Sequence, residues 1–244
     1  MKRVFSLAAL LLMAVGCGLQ TGVYQDDLVM PLSDGSRDSL FFSVSLEYVS
    51  GGVPAKVMES VNATLVSQAF DLEGGQAGSL EETAAAYREN LIDEYLTEND
   101  VPDPMGVLTW EDKVNGVFTG RYKDWLNYLL TYYSFRGGAH GIQTMTPVVF
   151  DKGTGAVITQ DKLFVPGYEA PVSNLLREAV EKSLEEEAPE LVSLLEVETI
   201  VPNGNFSVSA DGIQWIFQPY EIGPYALGIV MATLSWEQLK PYLK

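Results

Sequence analysis

The chain has few of the residues that reactive sites most often use. Its 244 residues include one cysteine, Cys17, and one histidine, His140. Only 15 lysines and arginines stand against 33 aspartates and glutamates, so the formal net charge is −18. A surface this acidic repels phosphate backbones, which argues against nucleic-acid binding and favours cationic partners. A simpler interpretation is that the acidity only keeps the protein soluble.

The sequence also lacks long hydrophobic runs, and its longest one stands at the amino terminus. A basic Met-Lys-Arg start is followed by the apolar stretch Val4–Val15 and then by Gly16-Cys17. A membrane span needs about 20 apolar residues, so this shorter run is typical of a secretory signal. The ending Ala14-Val15-Gly16-Cys17 resembles a bacterial lipoprotein cleavage box. We predict that residues 1–16 are removed and that Cys17 is lipidated; a plain secreted protein is the alternative.

Lipidation of Cys17 has two consequences. It places the protein outside the cytoplasm as a membrane-anchored lipoprotein, at the outer membrane or on the periplasmic face. It also leaves no free thiol, which excludes disulfides, cysteine-based catalysis and zinc sites built on cysteine.

Composition divides the remainder of the chain into three segments. Residues 17–37 hold mostly polar and small side chains, which predicts a flexible tether. Hydrophobic residues make up 47% of the sequence, enough for the rest to bury a core. We predict an amino-terminal domain over 38–145 and a carboxy-terminal domain over 146–244.

Local patterns predict the fold class. Ser79 with Glu82, and Ser235 with Gln238, have the spacing of helix capping boxes. Asn115-Gly116 and Asp211-Gly212 each separate two β-rich runs and predict hairpin turns. The predicted helices are grouped and the predicted strands come as hairpins, which indicates an α+β fold in which helices pack on a mostly antiparallel sheet.

Three stretches carry a resemblance to a known family. They are Tyr133–Gly141 (YSFRGGAHG), Phe150–Phe164 (FDKGTGAVITQDKLF) and Asp211–Gly228 (DGIQWIFQPYEIGPYALG). In order and spacing they resemble the paired domains of unknown function in RsiV-type anti-sigma ectodomains, which also occur in PdaC-type peptidoglycan deacetylases and in stand-alone envelope lipoproteins. The resemblance covers about residues 38–243. It implies an extracytoplasmic α+β fold with two related halves and no single activity, although relatives that sense lysozyme bind it as a protein partner.

His140 is a weak candidate for catalysis or ligand binding. Histidine can act as a general base or a metal ligand, but the chain has no Gly-x-Ser-x-Gly elbow to supply a serine nucleophile. A zinc site with one histidine and no cysteine is uncommon, and the acidic clusters at 99–103 and 185–187 lack calcium-loop spacing. We therefore predict no metal and no cofactor. Alternatively, Gly137-Gly138 forms a tight turn that His140 holds by a hydrogen bond.

The segment Tyr220–Gly228 is the main candidate for a ligand-binding surface. Together with the preceding Pro219 it has two Pro-Tyr pairs, and these and its two glycines predict an ordered loop between strands. Tyr220 and Tyr225 offer broad amphipathic contact, Pro224 stiffens the loop, and Glu221 adds a negative group that suits a basic partner. Alternatively, the tyrosines pack on the sheet and the prolines only shape the connection.

These features lead to one main hypothesis and two others. The main hypothesis is a non-enzymatic envelope lipoprotein that binds a protein or a glycan, for example a lysozyme-like cationic enzyme. The second is an accessory peptidoglycan hydrolase or deacetylase-associated protein that uses His140 and nearby carboxylates. The third is a structural envelope protein without a soluble ligand.

Overall fold

The computed structural model describes residues 18–72, 78–99 and 108–244. Cys17 and the predicted signal segment lie outside the described residues, as do Asp100 and Asp103 of the acidic cluster. Contacts group the chain into two units. Unit 1 comprises the residues up to Val117 together with Leu130–Gln143, and unit 2 comprises Phe118–Leu129 together with Thr144–Lys244. No helix within the described ranges is long and apolar enough to cross a membrane.

The chain alternates groups of helices with groups of strands. The strands are β1 (Gln20–Pro31), β2 (Ser39–Gly51), β3 (Trp110–Tyr122), β4 (Trp125–Phe135), β5 (Ile142–Asp151), β6 (Phe206–Val208), β7 (Gly212–Phe217) and β8 (Val230–Ser235). The helices are α1 (Ala55–Ala69), α2 (Leu80–Glu98), α3 (Gln160–Leu163), α4 (Glu169–Glu187) and α5 (Trp236–Leu239). Short 3-10 turns cover Pro189–Leu194, Tyr225–Leu227 and Lys240–Tyr242.

The strands form two sheets, and the predicted α+β class is confirmed. The first sheet has the order β1-β2-β3-β4-β5 and the second has the order β6-β7-β8. Pairing is antiparallel between β1 and β2 and throughout the second sheet. The pair β2–β3 is parallel, because the two helices α1 and α2 lie between these strands in the chain and return it to the same end of the sheet.

In unit 1, one face of strand β2 forms the core. Leu40, Phe42, Val44 and Leu46 alternate along β2 and are all buried. Helix α1 contributes buried side chains at a spacing of four, which is the helical repeat of one face. Helix α2 starts at the predicted capping box, in which Ser79 Oγ accepts from the Glu82 N–H and the Glu82 carboxylate accepts from the Ser79 N–H, each at 3.2 Å.

The prediction of a flexible tether over 17–37 is wrong for residues 20–31. They form β1, which pairs with β2 along its whole length. The strand lies at the sheet edge, and all but one of its residues are half-buried or exposed. An edge strand of this kind is held mainly by main-chain hydrogen bonds to its neighbour, so it does not need the apolar alternation that marks a buried strand.

The hairpin predicted at Asn115-Gly116 is also wrong, because β3 continues straight through both residues. Asn115 pairs with Ser45 and Gly116 with Leu46 of β2. That pairing outweighs the local turn preference of the Asn-Gly dipeptide. The chain turns later, at Lys123-Asp124, where Lys123 takes the left-handed conformation with φ 53°.

In unit 2, helix α4 and the second sheet enclose the core. Val172, Leu176, Val180 and Leu184 of α4 belong to the same buried cluster as Trp215 of β7. The hairpin predicted at Asp211-Gly212 is confirmed, since Val208 pairs with Ile213 across the turn. The predicted capping box of Ser235 and Gln238 is confirmed at the start of α5.

Candidate binding surfaces

The loop between β7 and β8 presents two tyrosines to solvent. Tyr220 is 59% exposed and Tyr225 is 36% exposed. Their ring centroids lie 5.7 Å apart with the planes tilted by 38°. The two side chains therefore form one aromatic surface, here called the tyrosine pair. This exposure does not fit the alternative in which both tyrosines pack on the sheet.

Tyr220 adopts a backbone conformation that non-glycine residues rarely use, with φ 69°. A left-handed conformation at a bulky residue costs about 1 kcal/mol or more and persists only where the surroundings hold it. The loop supplies such support through its buried residue Ile222, whose carbonyl accepts the Glu196 N–H at 3.0 Å. Gly223 passes so close to the chain that a Cβ there would lie 2.5 Å from the Leu194 carbonyl oxygen.

The Glu221 carboxylate accepts two hydrogen bonds that hold the loop in place. One oxygen accepts the Gln218 N–H at 2.7 Å and the other accepts the Asn203 side-chain amide at 2.6 Å. From the sequence alone, this carboxylate suits a basic partner. The structure instead directs its hydrogen bonds to the loop itself, so Glu221 is a positioning residue for the tyrosine pair.

Two further residues fix the ends of the loop. The Gln218 side-chain amide pairs with both main-chain groups of Met145: it donates to the carbonyl at 2.6 Å and accepts the N–H at 3.0 Å. Pro224, which is half-buried, starts the 3-10 turn in which the Leu227 N–H donates to the Pro224 carbonyl at 2.9 Å. The tyrosine pair is therefore carried by a loop with a defined conformation.

His140 lies in unit 1, in an open pocket of about 400 Å³. The pocket is lined by Phe41, Thr109, Glu111, Tyr133, Phe135, His140 and Gly141. His140 Nδ1 lies 3.1 Å from the Gly141 carbonyl oxygen, and because a carbonyl only accepts, a hydrogen bond between them requires the tautomer with the proton on Nδ1. Gly137 and Gly138 have φ of 85° and 88°. These positive values belong to a tight turn, which is the alternative predicted for this segment.

The described lining of this pocket contains one carboxylate and one imidazole. Glu111 is the only carboxylate among its described lining residues, and it forms an ion pair with Lys113. Two carboxylates that flank a cleft, as in most glycosidases, are therefore not found among these lining residues. Within the described residues, no three histidine, cysteine, aspartate or glutamate side chains come together in a way that could hold a metal ion.

A buried polar network in unit 1 was not predicted. Asp112 is fully buried and accepts hydrogen bonds from the Tyr87 hydroxyl at 3.1 Å, the Tyr132 hydroxyl at 2.8 Å and Arg136 Nη2 at 2.9 Å. A signal for it exists in the sequence. Trp110 and Val114 face the core two positions before and after Asp112, so strand alternation places this acid on the buried face.

Comparison with known proteins supports the fold and one domain. Residues 161–237 match the model of a family described as a protein of unknown function, DUF3298. A crystal structure of a DUF3298 family member from Bacteroides fragilis matches with a TM-score of 0.81 and 23% identity, covering 93% of this chain and 94% of that chain. A DUF3298 family protein from Pseudomonas aeruginosa matches with a TM-score of 0.72 and 15% identity, covering 94% and 97%. No curated protein matches the sequence.

The two comparisons differ in what they establish. The family match is confined to unit 2 and covers α4, the second sheet and the tyrosine pair. At these identities the likeness to solved structures shows the fold, which extends over nearly the whole chain. Neither comparison assigns a ligand or a reaction.

Proposed function

We propose that this protein is an envelope lipoprotein that binds a protein ligand without catalysing a reaction, and that the tyrosine pair is its contact surface. The observation that carries the proposal is the exposure of Tyr220 and Tyr225 on a loop whose conformation is fixed by Glu221 and Gln218. Tyrosine is enriched in binding hot spots because it buries a large amphipathic surface. A loop that is already ordered loses little conformational entropy on binding.

The charge of the chain favours a basic ligand. A net charge of −18 produces a negative field that steers cationic proteins towards the surface and weakens as salt is added. A lysozyme-like enzyme has the required charge, and the resemblance to RsiV-type ectodomains supports the same choice. Aromatic contact then provides the short-range part of the affinity.

The binding experiment measures the affinity of purified lysozyme for the full-length protein at low and at moderate salt. We expect replacement of both tyrosines, Tyr220→Ala with Tyr225→Ala, to weaken binding by about thirtyfold or more, as for loss of a hot spot worth about 2 kcal/mol. The matched control is Val201→Ala, because Val201 is 56% exposed in unit 2 and lies outside the loop.

Three results would contradict the proposal. One is that lysozyme does not bind the wild-type protein at either salt concentration. Another is that the double variant and the Val201→Ala control bind equally well. The third is turnover of peptidoglycan fragments that disappears in a folded His140→Ala variant, which would show that the protein is a hydrolase.

The anchor has its own test. We expect Cys17→Ala to prevent lipid attachment, so that the protein leaves the detergent phase in a Triton X-114 partition and no longer incorporates labelled palmitate. A single acyl chain binds membranes only marginally, so stable anchoring takes a second chain or another membrane signal. Wild-type protein that stays uncut and enters the aqueous phase would rule out the lipoprotein assignment.

A further inference from the structure

The pocket that contains His140 opens on the face of the first sheet opposite the unit 1 core. Along β2 the buried residues Leu40 and Phe42 face the core, so the residue between them, Phe41, points to the other side. Phe41 pairs with Glu111 of β3 in the parallel ladder. All of the lining residues belong to unit 1.

The walls of this pocket combine aromatic rings with fixed polar groups. Phe41, Tyr133 and Phe135 contribute three rings, and Phe41 is 41% exposed. The Tyr133 ring is held over Gly141, where a Cβ would lie 2.5 Å from the tyrosine hydroxyl oxygen. Lys113 Nζ lies 5.8 Å from the centroid of the same ring.

The polar groups are oriented by neighbours within unit 1. Thr109 Oγ1 donates to the Asp38 carboxylate at 3.0 Å, and its lone pairs can still accept a hydrogen bond. Glu111 is held by Lys113, and the His140 ring by the Gly141 carbonyl. The pocket therefore offers acceptors and aromatic faces that are in place before a ligand arrives.

We propose that this pocket binds one ring of a β-linked pyranose oligosaccharide. A pyranose has C–H faces that pack on aromatic rings, whose faces carry partial negative charge, and hydroxyl edges that donate to carboxylate, hydroxyl and imidazole groups. A volume of about 400 Å³ is in the range of small-ligand pockets. Because the pocket is open, the neighbouring sugars of a longer chain can continue into solvent.

Other ligand classes match these walls less well. An anionic ligand such as a nucleotide meets Glu111 and the overall charge of −18. A fatty acyl chain leaves Glu111, Thr109 and His140 without hydrogen bonds to the ligand. The sugar site involves none of the residues of the tyrosine pair and does not depend on lysozyme binding.

The test measures binding by calorimetry to full-length protein in a detergent that has no sugar headgroup. The probes are N-acetylchitotetraose, which represents wall-type amino sugars, and cellotetraose, which has the same linkage without acetamido groups. We expect saturable binding of at least one probe, and a loss of affinity of about tenfold in Phe41→Ala. Leu96→Ala is the matched control, because Leu96 is 43% exposed in unit 1 and does not line the pocket.

The outcomes separate clearly. Binding of chitotetraose alone supports the proposal and identifies an amino-sugar polymer, whereas equal binding of both probes supports it and identifies the pyranose backbone as the recognised part. The proposal fails if the wild-type protein binds neither probe. It also fails if a folded Phe41→Ala variant, with an unchanged circular dichroism spectrum, binds as tightly as Leu96→Ala. The lysozyme result is unaffected by either failure.

Discussion

Replacing Arg136 by methionine is expected to lower the free energy of unfolding of unit 1 by about 2–3 kcal/mol at neutral pH. Arg136 donates to the fully buried carboxylate of Asp112 at 2.9 Å. Without the arginine, a buried charge loses its only oppositely charged partner in the described network. The expected loss lies below the range of about 3–5 kcal/mol for fully buried pairs, because the Arg136 side chain is 35% exposed and solvent screens its charge.

The other members of the network limit the loss of stability in this variant. The Tyr87 and Tyr132 hydroxyls both reach Asp112 and lie 2.8 Å from each other. The Arg136 guanidinium also lies over Trp110, 4.5 Å from its ring centroid. Methionine keeps part of that apolar contact, so the substitution mainly removes the charge and the hydrogen bond to Asp112.

The destabilisation is expected to depend on pH. Burial raises the pKa of Asp112, and the hydrogen bond from Tyr132, the charge of Arg136 and the hydrogen bond from Tyr87 oppose this, while Glu94 adds to it. A raised pKa means that Asp112 holds more protons in the folded than in the unfolded state between pH 3.8, its ordinary value, and the raised pKa. Ionised Asp112 therefore costs stability as the pH rises through this window.

Loss of Arg136 removes one of the influences that lower the pKa of Asp112. In the variant this pKa is therefore higher, and the pH range over which stability falls extends to higher pH. The penalty of Arg136→Met should then shrink as the pH is lowered and Asp112 takes up a proton. Urea unfolding at about pH 7 and about pH 5 measures this difference. Arg37→Met removes the same charge from an exposed position in unit 1 and serves as the control. An equal penalty for Arg136→Met at both pH values would contradict the assignment.

Local signals in the sequence were sufficient where the structure depends on neighbours along the chain. The capping boxes at Ser79 and Ser235 involve residues three positions apart, and both form as predicted. The turn at Asp211-Gly212 closes a hairpin between adjacent strands. In each case the partners lie within a few residues, so the pattern contains the whole interaction.

Predictions from the sequence were wrong where pairing with a distant strand determines the local structure. Residues 20–31 have little apolar alternation, yet β2 orders them through main-chain hydrogen bonds. Asn115-Gly116 has strong turn preference, yet pairing with β2 keeps β3 extended. Main-chain pairing is largely independent of side-chain type, which explains why composition revealed neither β1 nor the continuity of β3.

The candidate sites show the same difference between interactions within one segment and interactions between distant segments. The Pro-Tyr pairs predicted a loop between strands, which the structure has between β7 and β8, and they left open whether its tyrosines are exposed or packed on the sheet. The hydrogen bond from Asn203 to Glu221 was not predicted, because Asn203 comes from a separate segment of the chain. His140 stood out as the only histidine, but Phe41, which forms part of the same pocket, lies far away in the sequence and had no signal of its own.

In unit 2, Trp215→Ala is expected to have the largest effect on stability, about 3–5 kcal/mol. Trp215 is fully buried at the centre of the second sheet and pairs with Phe206 on one side and Ala232 on the other. Its ring lies 6.3 Å from that of Phe164 by centroid. The surrounding side chains belong to one continuous cluster, so they can close the resulting cavity only in part.

The indole of Trp215 also makes a hydrogen bond that alanine cannot replace. Its Nε1 donates to Gln160 Oε1 at 2.9 Å, so truncation leaves the glutamine oxygen without this donor. Trp236→Ala is the matched control, since Trp236 is only half-buried, stacks on Tyr122 at 5.2 Å and donates to the Ser209 carbonyl. Urea midpoints at unchanged m-value measure both losses. If Trp236→Ala costs as much as Trp215→Ala, then the core of unit 2 is not organised around β7.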